Sequence, residues 1–247
     1  MIVVLGDGVA GDPSPVLARG LRRLGEVVVL AALDPHPSGA GDVAALRCSM
    51  SSGDEVAGVL ARAEDAAGPL HAVVLASAGA AATALGELAG LDPAEWTERV
   101  ETPLRRTLAC FQGAYRRLRG RGGGLVVLVP TLSLVGAAGL APWAAVAEAQ
   151  RALAKSAGRA WGGEGITVNC LALPGAVLRS RPGPEDPVVD QAGERGPDRP
   201  GLPPPSLTGP PDFESTVAPV VAALATPGWA GVTGATIAVD GGVWMTP

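Results

Sequence analysis

Proton transfer and nucleophilic attack draw on few side-chain types, and this chain of 247 residues is short of them. It carries one tyrosine (Tyr115), one lysine (Lys155), one asparagine (Asn169) and two histidines (His36 and His71). A phenol or imidazole can move a proton, an ammonium can lower a neighbour's pKa, and an amide can anchor a water. Tyr115 and Lys155 are not spaced four apart, so they do not share one turn of a helix. His36 lies between Pro35 and Pro37, and His71 opens an apolar run, so neither is placed on a pocket floor. A genome rich in G and C would thin Lys, Asn and Tyr in the same way. Cys48, Cys110 and Cys170 are odd in number and far apart, which fits neither a disulfide framework nor a zinc site and points to a reducing, cytoplasmic compartment without a bound metal. A net charge of −5 argues against a nucleic-acid partner.

The elements that must position these residues alternate from the start of the chain. Short, β-branched apolar runs at 2–5, 27–31, 71–76, 125–129, 166–171 and 236–239 read as buried parallel strands. Helical patterns fall between them at 16–24, 54–67, 93–119, 143–161 and 214–225. Such alternation predicts a single α/β domain over 1–247: a three-layer, Rossmann-type doubly wound parallel sheet of about seven strands. The helix from 93 starts with Asp92 ahead of Pro93, an N-cap followed by proline at the first helical position, and Pro103 should kink it.

Two segments stand apart. Residues 122–147 carry no charge, but Pro130, Gly136, Gly139 and Pro142 break the run into strand, loop and helix start, which rejects a membrane span. Segment 179–214 holds ten of the 23 prolines and no strand or helix pattern, so it reads as a Pro-rich loop in the position of a substrate lid.

Several motifs appear in a fixed order: Gly165-Ile166-Thr167-Val168-Asn169, Pro174-Gly175, Gly231-Val232-Thr233-Gly234 and Val239-Asp240-Gly241-Gly242, with Ala78-Gly79 and Trp96 upstream. In order and spacing the chain resembles the short-chain dehydrogenase/reductase family. That resemblance implies interconversion of a carbonyl and an alcohol with a nicotinamide cofactor, and assembly through paired long helices and the last strand. The family's three turn glycines match Gly8, Asp12 and Ser14. Its adenine-side Asp matches Ser49, its Asn before Ala-Gly matches Ser77, and Asp34 could serve as a ribose ligand. Of the catalytic set, the Asn position is Pro103 and the Tyr and Lys positions are Trp143 and Ala147. The Ser position is Pro130 without gaps, or Ser133 with a three-residue deletion. Lys155 and Asn169 match residues that are structural in the family.

Taken residue by residue, this pattern predicts neither a catalytic set nor a cofactor site. Asp7 and Asp12 would repel a pyrophosphate, and Trp143 would fill the nicotinamide space. The first expectation is a non-catalytic subunit, binding no NAD(P) and pairing as a homo- or hetero-oligomer with an active paralogue. The alternative is a nicotinamide-independent cyclase, dehydratase or isomerase with a small-molecule ligand between Asp7, Ser133 and Trp143, where Asp7 would be the general base. An ordinary reductase ranks third.

Overall fold

The computed structural model describes residues 1–8, 12–33, 43–77, 79–178 and 206–245. Residues 179–205 of the Pro-rich segment, Asp34, His36 and Ala78 lie outside the described residues. Strand β1 (Ile2–Gly6) leads through helix α1 (Ser14–Arg23) to β2 (Val28–Ala32) and β3 (Ala44–Arg47). Helix α2 (Gly53–Ala67) and β4 (Ala72–Leu75) follow, then a long helical arm of α3 (Pro93–Trp96), a π-turn (Thr97–Glu101) and α4 (Thr102–Leu118). Next come β5 (Gly123–Pro130), the short α5 (Leu132–Val135), α6 (Ala141–Trp161), β6 (Ile166–Leu173) and α7 (Gly175–Leu178). A second π-turn (Phe213–Val217), α8 (Ala218–Ala225) and β7 (Thr236–Ala238) close the fold.

All seven strands are parallel, in the order β3-β2-β1-β4-β5-β6-β7. Runs such as Ile2-Val3-Val4-Leu5 are buried on both faces, which is why they lack polar alternation. Val3 and Leu5 pack with α2, α4 and α6, whereas Ile2 and Val4 pack with α1 and α8, giving the three layers. The order reverses between β1 and β4, so the crevice for a ligand opens at their carboxyl ends.

Strand β3 carries no β-branched run and is largely exposed at the sheet edge, so apolar patterning passes over it. At Pro103 the expected kink takes the form of the π-turn. Pro103 has no N–H for the Arg99 carbonyl, and the chain accommodates its ring by widening one turn, with the Thr102 amide donating to Thr97. The uncharged stretch 122–147 becomes β5, α5 and the start of α6. Among the described residues no helix is long and apolar enough to cross a membrane, and no cluster of His, Cys, Asp and Glu could hold a metal.

Candidate functional site

The crevice begins where β1 ends. A Cβ on Gly6 would collide with Ser14 Oγ and come within 2.5 Å of Asp12 Oδ2, so glycine is what lets α1 start this close to the strand. Gly8 holds φ at 70°, a left-handed conformation that likewise favours glycine. The Asp12 carboxylate accepts the Gly8 amide at 2.7 Å through one oxygen and the Ser14 amide at 2.8 Å through the other. It therefore lies at the positive end of α1, a ready anion position. Ser14 Oγ is fully buried and has no hydrogen-bond partner among the described residues.

Beside this turn, Asp7 accepts a short hydrogen bond from the Ser77 hydroxyl and another, at 3.1 Å, from the Gly79 amide, joining the ends of β1 and β4. On the adenine side, Glu55 accepts from the amides and hydroxyls of Ser49 and Ser51 at 2.6–2.9 Å. Burial pushes the Glu55 carboxyl upward, but these four donors outweigh it and hold its pKa down at about 2.

The other half of the crevice is built mainly from apolar side chains. Trp143 is only 1% exposed, and a Cβ placed on Gly175 would meet its ring edge at 3.2 Å and Leu132 at 3.0 Å. Ala147 and Pro103 are buried, the proline ring filling the space beside Gly79. Ser133 donates its hydroxyl to the Pro130 carbonyl at 3.2 Å. One residue past β5, Thr131 Oγ1 is buried and has no hydrogen-bond partner among the described residues. One helical turn before Pro103, Arg99 is buried; its Nη2 donates to the Ala84 carbonyl, its Nε has no partner, and no carboxylate pairs with it among the described residues.

The remaining candidates sit elsewhere. Tyr115 donates to Glu164 at 2.8 Å and stacks on Trp161, and the hydrogen bond to Glu164 raises its pKa. Lys155 is exposed on α6. Asn169 donates to the Val232 carbonyl at 2.7 Å and accepts from the Ala235 amide at 3.1 Å, tying the loop 231–235 to β6. His71 faces Glu26 at the amino end of the sheet, and burial lowers its pKa. Sequence reasoning missed Thr131, Glu55 and Arg99. A charged residue four before Pro103 on an otherwise buried helix face was the available sign for Arg99.

The family model described as Enoyl-(Acyl carrier protein) reductase matches residues 17–198, well over half of the chain. This protein belongs to the short-chain dehydrogenase/reductase family. Among its relatives, the 3-oxoacyl-[acyl-carrier-protein] reductase FabG of Staphylococcus aureus is 29% identical over 209 residues, 83% of this chain and 78% of the relative. A 3-ketoacyl-(acyl-carrier-protein) reductase from Brucella melitensis, solved with NADH, superposes with a TM-score of 0.75 at 16% identity, covering 99% of this chain and 98% of that one. A gluconate 5-dehydrogenase from Burkholderia cenocepacia, solved with NADP and tartrate, gives a TM-score of 0.75 at 20% identity, covering 98% and 94%.

These findings correct two expectations. A non-catalytic subunit, or a nicotinamide-independent enzyme, does not fit relatives that are named reductases over most of the chain. The expected lack of NAD(P) is at odds with neighbours of the same fold that carry NADP or NADH. The physical reason is that this fold meets a dinucleotide phosphate largely through backbone amides at a helix N-terminus, which substitution of neighbouring side chains does not remove. Here the Gly8 and Ser14 amides beside that helix start both donate to Asp12.

Proposed function

We propose that this protein is a nicotinamide-dependent oxidoreductase that interconverts a carbonyl and an alcohol, with 3-oxoacyl thioesters as the first substrate class to test. The observation that carries the reading is the 29% identity to a named 3-oxoacyl reductase across 83% of the chain. The donor set at the β1–α1 turn fits a phosphate. Two amides there already hold both oxygens of an anionic group, the Asp12 carboxylate, which stands in for phosphate oxygens. The Gly8 and Ser14 amides, with the buried Ser14 hydroxyl, would hold the pyrophosphate. When bound, the cofactor supplies or accepts the hydride.

The finer proposal is a divergent member working without the phenol and ammonium pair. Trp143 and Ala147 offer no titratable proton at those positions, and Ser133 already donates to the Pro130 carbonyl, which leaves the Thr131 hydroxyl at the end of β5 to hold and polarise a carbonyl oxygen and a solvent water to protonate the alkoxide that hydride transfer leaves. Trp143 and Leu132 pack together as buried apolar core behind that position. We treat 1–247 as a single domain that assembles with a second chain of the family through the long helices, where Trp96 and Leu108 are exposed. Fluorescence titration with NADH and NADPH, followed by spectrophotometric assay with an acetoacetyl thioester, tests the reading. Saturable binding and cofactor-dependent turnover are expected; absence of both overturns it. Thr131→Val should lower kcat while leaving cofactor affinity unchanged.

A further inference from the structure

Resting on that nicotinamide reading, we infer that Asp12 is an internal competitor for the dinucleotide phosphate: its carboxylate occupies the anion position of the β1–α1 turn and has to leave before a phosphate enters. Three observations meet at this point. The two carboxylate oxygens take one amide each, from Gly8 at 2.7 Å and Ser14 at 2.8 Å. Each N–H makes one good bond, so a phosphate oxygen and the carboxylate cannot both be served, and their like charges repel at that distance. The turn belongs to a ten-residue helix whose N-cap, Pro13, provides no side-chain cap, so Asp12 is the negative group at its positive end.

The third observation points to a ligand beyond the carboxylate. Ser14 Oγ is fully buried, faces the missing side chain of Gly6, and makes no hydrogen bond among the described residues. A buried hydroxyl without a partner is unfavourable. The carboxylate leaves this donor unused, whereas a tetrahedral phosphate presents an additional oxygen to it. A tethered carboxylate competes at high effective concentration, so every ligand with a phosphate at this turn is weakened by the same factor, whatever its other end.

The test uses the full chain and isothermal titration with three probes: NADH, ADP-ribose and adenosine. Asp12→Asn removes the charge and keeps one acceptor oxygen; Asp12→Gly removes both. Affinity for NADH and for ADP-ribose should rise together, by about tenfold or more in Asp12→Asn, the equivalent of one charge-assisted hydrogen bond. Adenosine, which has no phosphate, should bind both proteins alike. Thermal melting gives a second readout, because ADP-ribose should raise the midpoint of the variant more than that of the parent. If Asp12→Gly fails to fold, Asp12→Asn still decides, since the Asn side-chain oxygen can still accept one of the two amides. Equal or weaker binding of ADP-ribose and NADH by Asp12→Asn, with the parent binding both, overturns the role of Asp12 and leaves the nicotinamide reading intact. Absence of NADH and ADP-ribose binding in parent and variant overturns both.

Discussion

The β1–α1 turn and the end of β5 are built in opposite ways. The turn and its surroundings satisfy their donors with the chain's own carboxylates: Asp12 sits on the helix amides, Asp7 on Ser77 and Gly79, Glu55 on Ser49 and Ser51. The end of β5 holds packed carbon, Trp143 against Gly175 and Leu132. A carboxylate held by two amides can swing away and be exchanged, because water or another anion takes over its bonds. A buried indole is held by many small contacts that nothing replaces when it moves. A polar site of this kind can thus exchange its partners, while a filled one cannot.

The largest effect should come from breaking the packed half. Trp143→Ala removes a fully buried ring from a core shared with Leu132, Val146 and Leu173, and should cost about 3–5 kcal/mol in urea unfolding. If the site instead tolerates the change with under about 1 kcal/mol lost, the ring is not packing and the contrast with the turn fails. Next in size is Asn169→Leu, which strands the Val232 carbonyl and the Ala235 amide at the joint between β6 and the loop before β7. A loss of about 3 kcal/mol is expected, since two groups lose partners in a partly buried place. Cofactor titration of the same variant should be unaffected if it folds, as the joint lies outside the turn.

Most of the sheet was legible because a parallel strand buried on both faces needs a continuous apolar run, and Ile2–Gly6 or Gly123–Pro130 could hardly be anything else. Ala44–Arg47 escaped because an exposed edge strand needs no such run. At the site, the positions of Asp12, Trp143 and Ala147 could be counted from motif spacing, but their roles depended on side-chain geometry. Asp12 appeared as a source of repulsion, although the turn folds its carboxylate onto two amides. The burial of Thr131 and Arg99 is created by segments far away in sequence, Leu173 beside one and Ala84 and Gly86 beside the other. No periodicity within 97–101 or 130–135 carries that information.

The Glu55 cluster sharpens the comparison through pH. Its folded pKa, about 2, lies below the ordinary value of 4.5, so the unfolded chain binds the proton more readily. The stabilisation is therefore complete above about pH 4.5 and is lost as pH falls toward 2. Glu55→Gln should cost about 1 kcal/mol near neutral pH, a modest figure because solvent reaches the carboxylate. The difference from the parent protein should shrink on acidification, as urea midpoints between pH 7 and 3 would report. A constant difference across that range would mean the four donors hold the side chain by shape and not by charge.

The last expected change, of similar size, is a gain. Arg99 buries a guanidinium beneath the 84–86 segment, with a hydrogen bond to the Ala84 carbonyl and no carboxylate among the described residues. Desolvating a cation is unfavourable, and one neutral carbonyl offsets little of it. Arg99→Met keeps the length and apolar stem while removing the charge, at the loss of one hydrogen bond. The two effects oppose each other, and the charge outweighs the bond. The variant should be more stable by about 1 kcal/mol in urea unfolding, with an unchanged helix content by circular dichroism. A loss of 2 kcal/mol or more would show instead that Arg99 has an anionic partner in solution, in which case the packed half of the crevice also contains a compensated charge and resembles the turn more than its carbon lining suggests.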